Sequence, residues 1–170
     1  MNATVREAEP TDAAAIRAVH CAAFPTSAEA DLVEALARDG DAVISLIAER
    51  DTAIVGHILL SRMAVSGDGH PYRGLGLAPV AVLPGAQRNG IGSALIRAAL
   101  GRAVETGEAL VFVLGDPVYY RRFGFSVQSA TPFASPYAGP HLTALRLRED
   151  VELPRAGRAD HAPAFAGLDG

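Results

Sequence analysis

The stretch of sequence that decides the fold lies at residues 80–93 and reads VAVLPGAQRNGIGS. An apolar strand passes through a glycine-containing loop into an amphipathic helix, since apolar residues recur at helical spacing after Gly90. The first turn of such a helix has free backbone amides, and the helix dipole adds partial positive charge there. Gly90 and Gly92 let the backbone approach an oxygen-rich ligand without an intervening Cβ. The stretch therefore predicts a phosphate-binding junction.

Two common phosphate-binding patterns do not fit this junction. A Walker A loop needs a lysine after its last glycine, but Gly92 is followed by Ser93 and the chain contains no lysine. A dinucleotide fingerprint needs a third small residue where Leu95 stands, and it belongs to the first strand and helix of a domain. This junction lies in the middle of the chain, so a dinucleotide ligand is disfavoured.

The junction resembles the acetyl-coenzyme A (acetyl-CoA) pyrophosphate loop of the GNAT superfamily of N-acetyltransferases, matched by QRNGIG at residues 87–92. Residues 77–84 and 111–115 look like the fourth and fifth strands of that family. Residues 120–125 read YRRFGF and are similar to the Tyr-x-x-x-Gly-Phe that ends its fourth helix. The sequence GDPVYY at residues 115–120 resembles that of a bacterial branch of the family whose substrates are mostly unassigned. The similarity to the family extends over roughly residues 4 to 148.

The pattern of elements predicts an α/β domain. We expect strands at residues 5–8, 43–49, 53–65, 74–83, 109–115, 125–129 and 142–147, and helices at residues 12–24, 28–38, 90–105 and 117–123. The resemblance implies a single-domain GNAT-like fold over residues 1–150. Its mixed central sheet would be mostly antiparallel, with strands four and five parallel and splayed, flanked by about four helices. Residues 151–170 show no periodicity and are expected to form a tail that is partly ordered at best.

Composition excludes several classes of protein. The chain has 170 residues, 49% of them hydrophobic, which suits one domain with a single core. No apolar run approaches a membrane span, and the N-terminus lacks the pattern of a secretory signal, so we expect a cytoplasmic protein without a membrane partner. The net charge of −4 without a basic run argues against nucleic acid as a partner. Cys21 is expected to be a small core residue.

The resemblance implies which residues bind the cosubstrate acetyl-CoA. The pyrophosphate would lie on the backbone amides of the loop, with Arg88 as a possible ion-pair donor. The pantetheine would pair with strand four along Val80 and Val82 like one more strand. The cofactor-binding residues expected on this basis are Val80, Val82, Gln87, Arg88, Asn89, Gly90, Ile91, Gly92 and Ser93. No metal is expected, because His70, His141 and His161 lack ligand spacing.

The resemblance also implies direct attack of an amine on the thioester, without a covalent enzyme intermediate. Tyr120 stands four residues before Gly124, where the family usually has the tyrosine that donates a proton to the leaving sulfur. The alternative interpretation is that Tyr119 and Tyr120 simply pack a short helix. An aliphatic amine has a pKa of about 10 and is mostly protonated at neutral pH, so a base or a water chain must also remove its proton.

The general base cannot be identified from the sequence. Many members of the family use a glutamate on or near strand four, but residues 74–83 contain no carboxylate. His57, Glu29, Asp116 and water all stay open. Each side chain also has a structural interpretation: His57 as a hydrogen-bonded sheet residue, Glu29 as a charge at a helix N-terminus, and Asp116 as a helix cap.

The sequence leaves three functional hypotheses. The first is an acetyl-CoA-dependent N-acetyltransferase acting on an amine of a small molecule or of a protein. The second is a catalytically silent sensor that binds acyl-CoA, for which the missing carboxylate on strand four is the only hint. The third is an unrelated nucleotide-binding α/β enzyme. Neither the acceptor nor the acyl chain preference can be derived from the sequence. Homodimers are common among similar proteins, but no feature of this sequence demonstrates one.

Overall fold

The computed structural model describes residues 3–168, and this part of the chain contains eight strands, five α-helices and three short 3-10 helices. The strands are β1 (Thr4–Glu7), β2 (Ala42–Arg50), β3 (Ala53–Gly67), β4 (His70–Val82), β5 (Leu110–Leu114), β6 (Phe133–Ala134), β7 (Leu142–Arg146) and β8 (Gly157–Asp160). The helices are α1 (Ala13–Ala23), α2 (Ala28–Arg38), α3 (Ile91–Glu105), α4 (Pro117–Arg121) and α5 (Val127–Ala130). Predictions that fall on residues 1–2 and 169–170 lie outside the described part.

The strands form one mixed sheet in the order β1-β2-β3-β4-β5-β7, and β8 pairs with both β3 and β6. Strands β4 and β5 are parallel, with Gly74 opposite Leu110 and Gly76 opposite Phe112, as the resemblance implied. This register covers only the first part of the two strands, because β4 continues to Val82. The pairs β1–β2, β3–β8 and β5–β7 are antiparallel, so the predicted mixed sheet is confirmed.

The described residues divide into two compact units. The first comprises residues 3–60, 79–102 and 163–168, and the second comprises residues 61–78 and 103–162. Fully buried aliphatic side chains fill the first unit: Leu36, Leu46, Ile47, Leu95 and Ile96. The core of the second unit contains Met63, Leu110, Phe112, Phe133 and Ala159. In α3, the buried residues Ile91, Leu95, Ala99 and Ala103 recur four positions apart, as expected of an amphipathic helix.

One predicted element was wrong. Residues 125–129 were expected to form a strand, but residues 127–130 form α5. The Ser126 side chain accepts a hydrogen bond from the backbone N–H of Ser129, which caps this helix and stops an extended segment from continuing. Within this segment, Ser126 makes an isolated antiparallel bridge to Ala144 of β7.

The C-terminal segment is also more ordered than the sequence suggests. Its residues 157–160 form β8, which pairs with β3 in antiparallel register from Ala64 to Gly67. Ala159 is fully buried, and Phe165 in the following 3-10 helix (Pro163–Leu168) is nearly so. The segment therefore contributes to the core of the domain.

Candidate active site

The loop between β4 and α3 is held in shape by its own side chains. The Gln87 side chain donates a hydrogen bond to the Val82 carbonyl at 3.0 Å, and the Asn89 side chain donates to the Ala86 carbonyl at 3.2 Å. Arg88 and Gly90 have positive φ angles of 66° and 78°, so the chain reverses sharply here. Gln87 and Asn89 were predicted to contact the ligand, but their side-chain amides hold the loop in shape.

Helix α3 starts directly after this reversal and presents free amides at its first turn. The N–H of Ala94 donates to the carbonyl of Gly90 at 3.0 Å, which is the first hydrogen bond of the helix. The backbone N–H groups of Ile91, Gly92 and Ser93 lie before this hydrogen bond, so the helix offers them no carbonyl four residues earlier to which they could donate. The Ile91 side chain is buried, so this residue offers its backbone alone to a ligand. The local geometry is that of an anion site at a helix N-terminus.

The end of β4 is tied to the start of β3. The backbone N–H of Leu83 donates to the carbonyl of Val55 at 2.8 Å. Val80 and Val82 are half-buried while Ala81 between them is buried, which is the alternation expected of a strand. A Cβ at Gly56 would lie 3.2 Å from the Ala81 carbonyl, so a glycine here allows the two strands to approach closely.

Tyr120 lies in α4, within the second unit. Asp116 caps this short helix, because its carboxylate accepts a hydrogen bond from the backbone N–H of Val118 at 2.9 Å. The Tyr120 ring packs against Phe125 at 5.8 Å between centroids and rests on Gly115, where a Cβ would lie 2.8 Å from the ring. Burial, followed by the neighbouring Tyr119, raises the pKa of Tyr120 to about 12. The hydroxyl therefore carries its proton at neutral pH and can act as a donor.

His57 belongs to a buried chain of hydrogen bonds inside the first unit. Its Nδ1 lies 2.8 Å from Nε2 of His20, and its Nε2 lies 2.8 Å from Oγ of Ser45. Both histidines are fully buried, and burial lowers the pKa of His20 to about 4. Burial and the adjacent His20 lower the pKa of His57 to about 3. Both rings are therefore neutral at physiological pH, and His57 has no exposed surface through which to contact an acceptor.

The two candidate carboxylates differ in their surroundings. Asp116 caps α4, which agrees with the structural interpretation of this residue as a helix cap. Glu29 is the second residue of α2, and its Oε2 is buried without a hydrogen bond to any of the residues 3–168. A buried unpaired carboxylate oxygen is costly in a folded protein. Of the three side chains considered as the general base, Glu29 is thus the one with a buried oxygen that lacks a hydrogen bond within the described residues.

Sequence reasoning missed a buried carboxylate in the second unit. Glu108, at the turn before β5, is fully buried and receives two hydrogen bonds from Arg62 at 2.6 and 3.0 Å and one from Arg73 at 2.6 Å. Burial acts to raise the pKa of Glu108, but the hydrogen bonds and charges of the two arginines outweigh it and lower the pKa. The network ties the start of β5 to β3 and β4. No local sequence pattern distinguishes Glu108 from an exposed turn residue.

Residues 4–128 match the family model of the acetyltransferase (GNAT) domain. The chain therefore belongs to the GNAT family of acetyltransferases. It is 42% identical over 120 residues to the uncharacterized N-acetyltransferase YjhQ of Escherichia coli K12, covering 69% of this chain and 66% of YjhQ. It is 35% identical to the uncharacterized N-acetyltransferase YhbS of the same strain, covering 72% of this chain and 73% of YhbS.

Solved structures agree with this assignment. The crystal structure of the E. coli GNAT family N-acetyltransferase YhbS in complex with CoA has a TM-score of 0.88 at 30% identity, covering 98% of this chain and 93% of that protein. A GNAT family acetyltransferase from Brucella melitensis in complex with acetyl-CoA has a TM-score of 0.78 at 33% identity, covering 96% of this chain and 97% of that protein.

No group of three or more histidine, cysteine, aspartate or glutamate side chains in residues 3–168 is placed to hold a metal ion. In the same part of the chain, no helix has both the length and the apolar character needed to cross a membrane.

Proposed function

We propose that this protein transfers the acetyl group of acetyl-CoA to the nitrogen of an amine. The observation that carries the proposal is the start of α3, where the amides of residues 91–93 precede the first helical acceptor and follow a sharp loop reversal. Two relatives with 30% and 33% identity have CoA or acetyl-CoA in their crystal structures. Membership of the GNAT family supports the same cosubstrate here.

The pyrophosphate of acetyl-CoA would bind at residues 87–93. The backbone amides of Ile91, Gly92 and Ser93 would donate to its oxygens, and the helix dipole would favour its negative charge. Arg88 is exposed and lies next to these amides in the chain, so its guanidinium is available for an ion pair. Gln87 and Asn89 would contribute indirectly, because their side chains hold the loop.

The pantetheine would bind along the second half of β4. The β4–β5 register covers residues 74–76 of β4, while β4 continues to Val82. The backbone of Val80 and Val82 would then exchange hydrogen bonds with the pantetheine amides, in the manner of an added strand. Affinity from this part would come from main-chain groups, and it would depend little on the identity of the valine side chains.

The transfer itself would proceed by direct attack. The neutral amine nitrogen adds to the thioester carbonyl carbon, a tetrahedral intermediate forms, and the carbon–sulfur bond then breaks with its electron pair on sulfur. Tyr120 would donate a proton to that sulfur, since its pKa of about 12 keeps the hydroxyl protonated. The amine proton would leave to a base or to water, and the product would be an N-acetyl amide and free CoA.

Release of CoA thiol from acetyl-CoA, followed with a panel of amines, tests the proposal. The panel should include alkylamines, aralkylamines, polyamines and a peptide with a free N-terminus and a lysine. We expect thiol release above the rate of hydrolysis with at least one amine, and a matching N-acetyl product by mass spectrometry. Tight CoA binding without turnover of any amine would instead support the catalytically silent acyl-CoA sensor.

A further inference from the structure

The second unit contains an apolar cavity of about 240 Å³. Its lining consists of Val127, Ala130, Thr131, Phe133, Ala138, Gly139 and Leu142. Thr131 carries the only polar side chain among these residues, and its hydroxyl already donates to the Val127 carbonyl at 2.9 Å. Ala130, Phe133 and Leu142 are buried, so a polar or charged group placed against them would lose its hydration without gaining a partner from the lining side chains. The cavity suits an uncharged, apolar group.

The cavity lies at the strand end that also supports Tyr120. Leu142, in its wall, pairs with Leu114, the last residue of β5. The next N–H along the chain, that of Gly115, donates to the carbonyl of His141 at 3.0 Å. The Tyr120 ring rests on Gly115. The cavity wall and the proposed proton donor are thus connected through adjacent backbone positions at the carboxyl end of β5.

We propose that this cavity binds the apolar group of the acceptor amine, so that the substrate is a primary amine on an alkyl or aryl group. The inference rests on the proposed function and specifies its substrate class. Engineered cavities of about 150 Å³ accept a benzene ring. A cavity of about 240 Å³ has room for a phenyl ring and a short methylene linker to the amine. The ammonium or amine end would stay outside the apolar lining.

The inference predicts a dependence of kcat/KM on acceptor structure. Each methylene group that enters an apolar pocket contributes about a fourfold increase, which corresponds to the usual transfer free energy of a methylene group. At saturating acetyl-CoA, kcat/KM should therefore rise from ethylamine to butylamine and be highest for phenethylamine. Ethanolamine and putrescine should be poor acceptors, because a hydroxyl or a second ammonium would enter the same lining. The reverse order would overturn the inference while leaving acetyl transfer established.

A variant that fills the cavity tests whether the acceptor amine binds in this cavity or elsewhere on the protein. Ala138 is exposed and lies in an irregular segment, so Ala138→Leu should reduce the cavity without disturbing a helix or strand. We expect it to lower kcat/KM for phenethylamine at least about tenfold, the loss of roughly two buried methylene groups. The value for ethylamine should change less than about twofold, since ethylamine barely enters the cavity. Ala14→Leu, an equal change at an exposed position of α1, is the matched control. Equal effects of Ala138→Leu on both amines would overturn the inference.

Equilibrium binding distinguishes failure of this inference from failure of the proposed function. Phenethylamine should bind the CoA complex of the wild-type protein, and Ala138→Leu should weaken that binding about tenfold. If no amine is turned over, the proposed function is wrong, and this titration alone decides whether the cavity binds aralkylamines. If amines are turned over but phenethylamine binding is the same in Ala138→Leu, the cavity is not the acceptor site.

Discussion

Tyr120 is a phenol whose surroundings favour the protonated form. Burial is the first cause of its pKa of about 12, and the ring is fixed between Gly115 and Phe125. If it protonates the leaving sulfur, Tyr120→Phe should lower kcat by about 100-fold, which is typical of a lost general acid. The dissociation constant for acetyl-CoA should stay within about twofold, because the phenyl ring keeps the packing. Steady-state kinetics and calorimetry measure the two quantities.

Tyr119→Phe is the matched control for this experiment. Tyr119 is the adjacent residue in the same helix and packs edge-on against Tyr120 at 5.1 Å between centroids. Removing its hydroxyl should leave kcat within about threefold of wild type, because only Tyr120 is assigned to the sulfur. Unchanged kcat in Tyr120→Phe, or an equal loss in both variants, would exclude Tyr120 as the specific acid.

The buried pair His20 and His57 makes the stability of the protein depend on pH. Their folded-state pKa values of about 4 and 3 lie below the unfolded value near 6.5. Well above pH 6.5 both histidines are neutral in the folded and the unfolded state, and they do not make stability depend on pH. As pH falls below 6.5, the unfolded chain binds protons that the folded state excludes, so stability is lost progressively toward pH 4. The slope should approach about 1.4 kcal/mol per pH unit for each histidine.

Urea unfolding at pH 7.5 and 5.0 measures this effect. The free energy of unfolding should be lower at pH 5.0, above the range in which carboxylates with lowered pKa values, such as Asp12, become protonated. His70→Gln, at an exposed position, should retain the same difference between the two pH values. Equal stability of the wild-type protein at both values would contradict the neutral buried pair.

Individual side chains were the hardest features to predict from the sequence. In α1, Cys21 was expected in the core but is exposed, whereas the adjacent His20, which the sequence did not mark as a core residue, is fully buried. Hydrophobicity gave no signal for His20, because its burial depends on a partner 37 positions away in β3. Glu108 was missed for a similar reason, since Arg62 and Arg73 reach it only in the folded chain.

A glycine-to-valine substitution, made at two different positions of α3, tests whether the start of this helix binds the pyrophosphate of CoA. Gly92→Val would place a branched side chain beside the amides proposed to bind pyrophosphate. Loss of two charge-assisted hydrogen bonds, each worth about 1.5 kcal/mol, should weaken CoA binding about 100-fold. Gly90→Val should do the same, but its φ of 78° adds backbone strain, which makes Gly92 the better position.

Gly101→Val provides the control for Gly92→Val. Gly101 is exposed in the same helix, and a Cβ at this position has nothing within 4 Å. Its substitution should leave the dissociation constant for CoA within about twofold, because it changes helix propensity and not the ligand contacts. Similar weakening by both variants in a calorimetric titration would mean that α3 acts only through its stability.

Long periodic elements were predicted well, and short ones were not. Helices α1 to α3 and strands β2 to β5 each have enough residues for a period to show. Strand β6 has two residues, and β8 reads Gly-Arg-Ala-Asp, with a single apolar side chain directed to the core. Helix α5 has four residues and depends on the Ser126 cap, so no period could distinguish it from a strand.

The C-terminal segment completes the sheet of the whole molecule. Strand β8 pairs with β3 and β6, and the following 3-10 helix contains the buried Phe165. A chain that ends at residue 150 would expose Val65 and Met63, which pack in the same core as Ala159. We expect this truncation to lower the melting temperature by at least about 10 °C, since it removes several buried side chains at once. Differential scanning calorimetry makes the comparison, and an unchanged melting temperature would show that β8 contributes nothing to stability.

Membership of the GNAT family was predictable because the loop and the YRRFGF segment are local in sequence. The proposed acceptor cavity was not, because α5, β6, β7 and the segment between them come together only in the fold. The most direct test of acetyl-CoA-dependent transfer begins with the cosubstrate: isothermal titration calorimetry with acetyl-CoA, 3′-dephospho-CoA, ATP and NAD. Binding of the CoA compounds in preference to ATP and NAD is the predicted result. Folded protein that binds no CoA compound, or that prefers ATP or NAD, would contradict the proposed function.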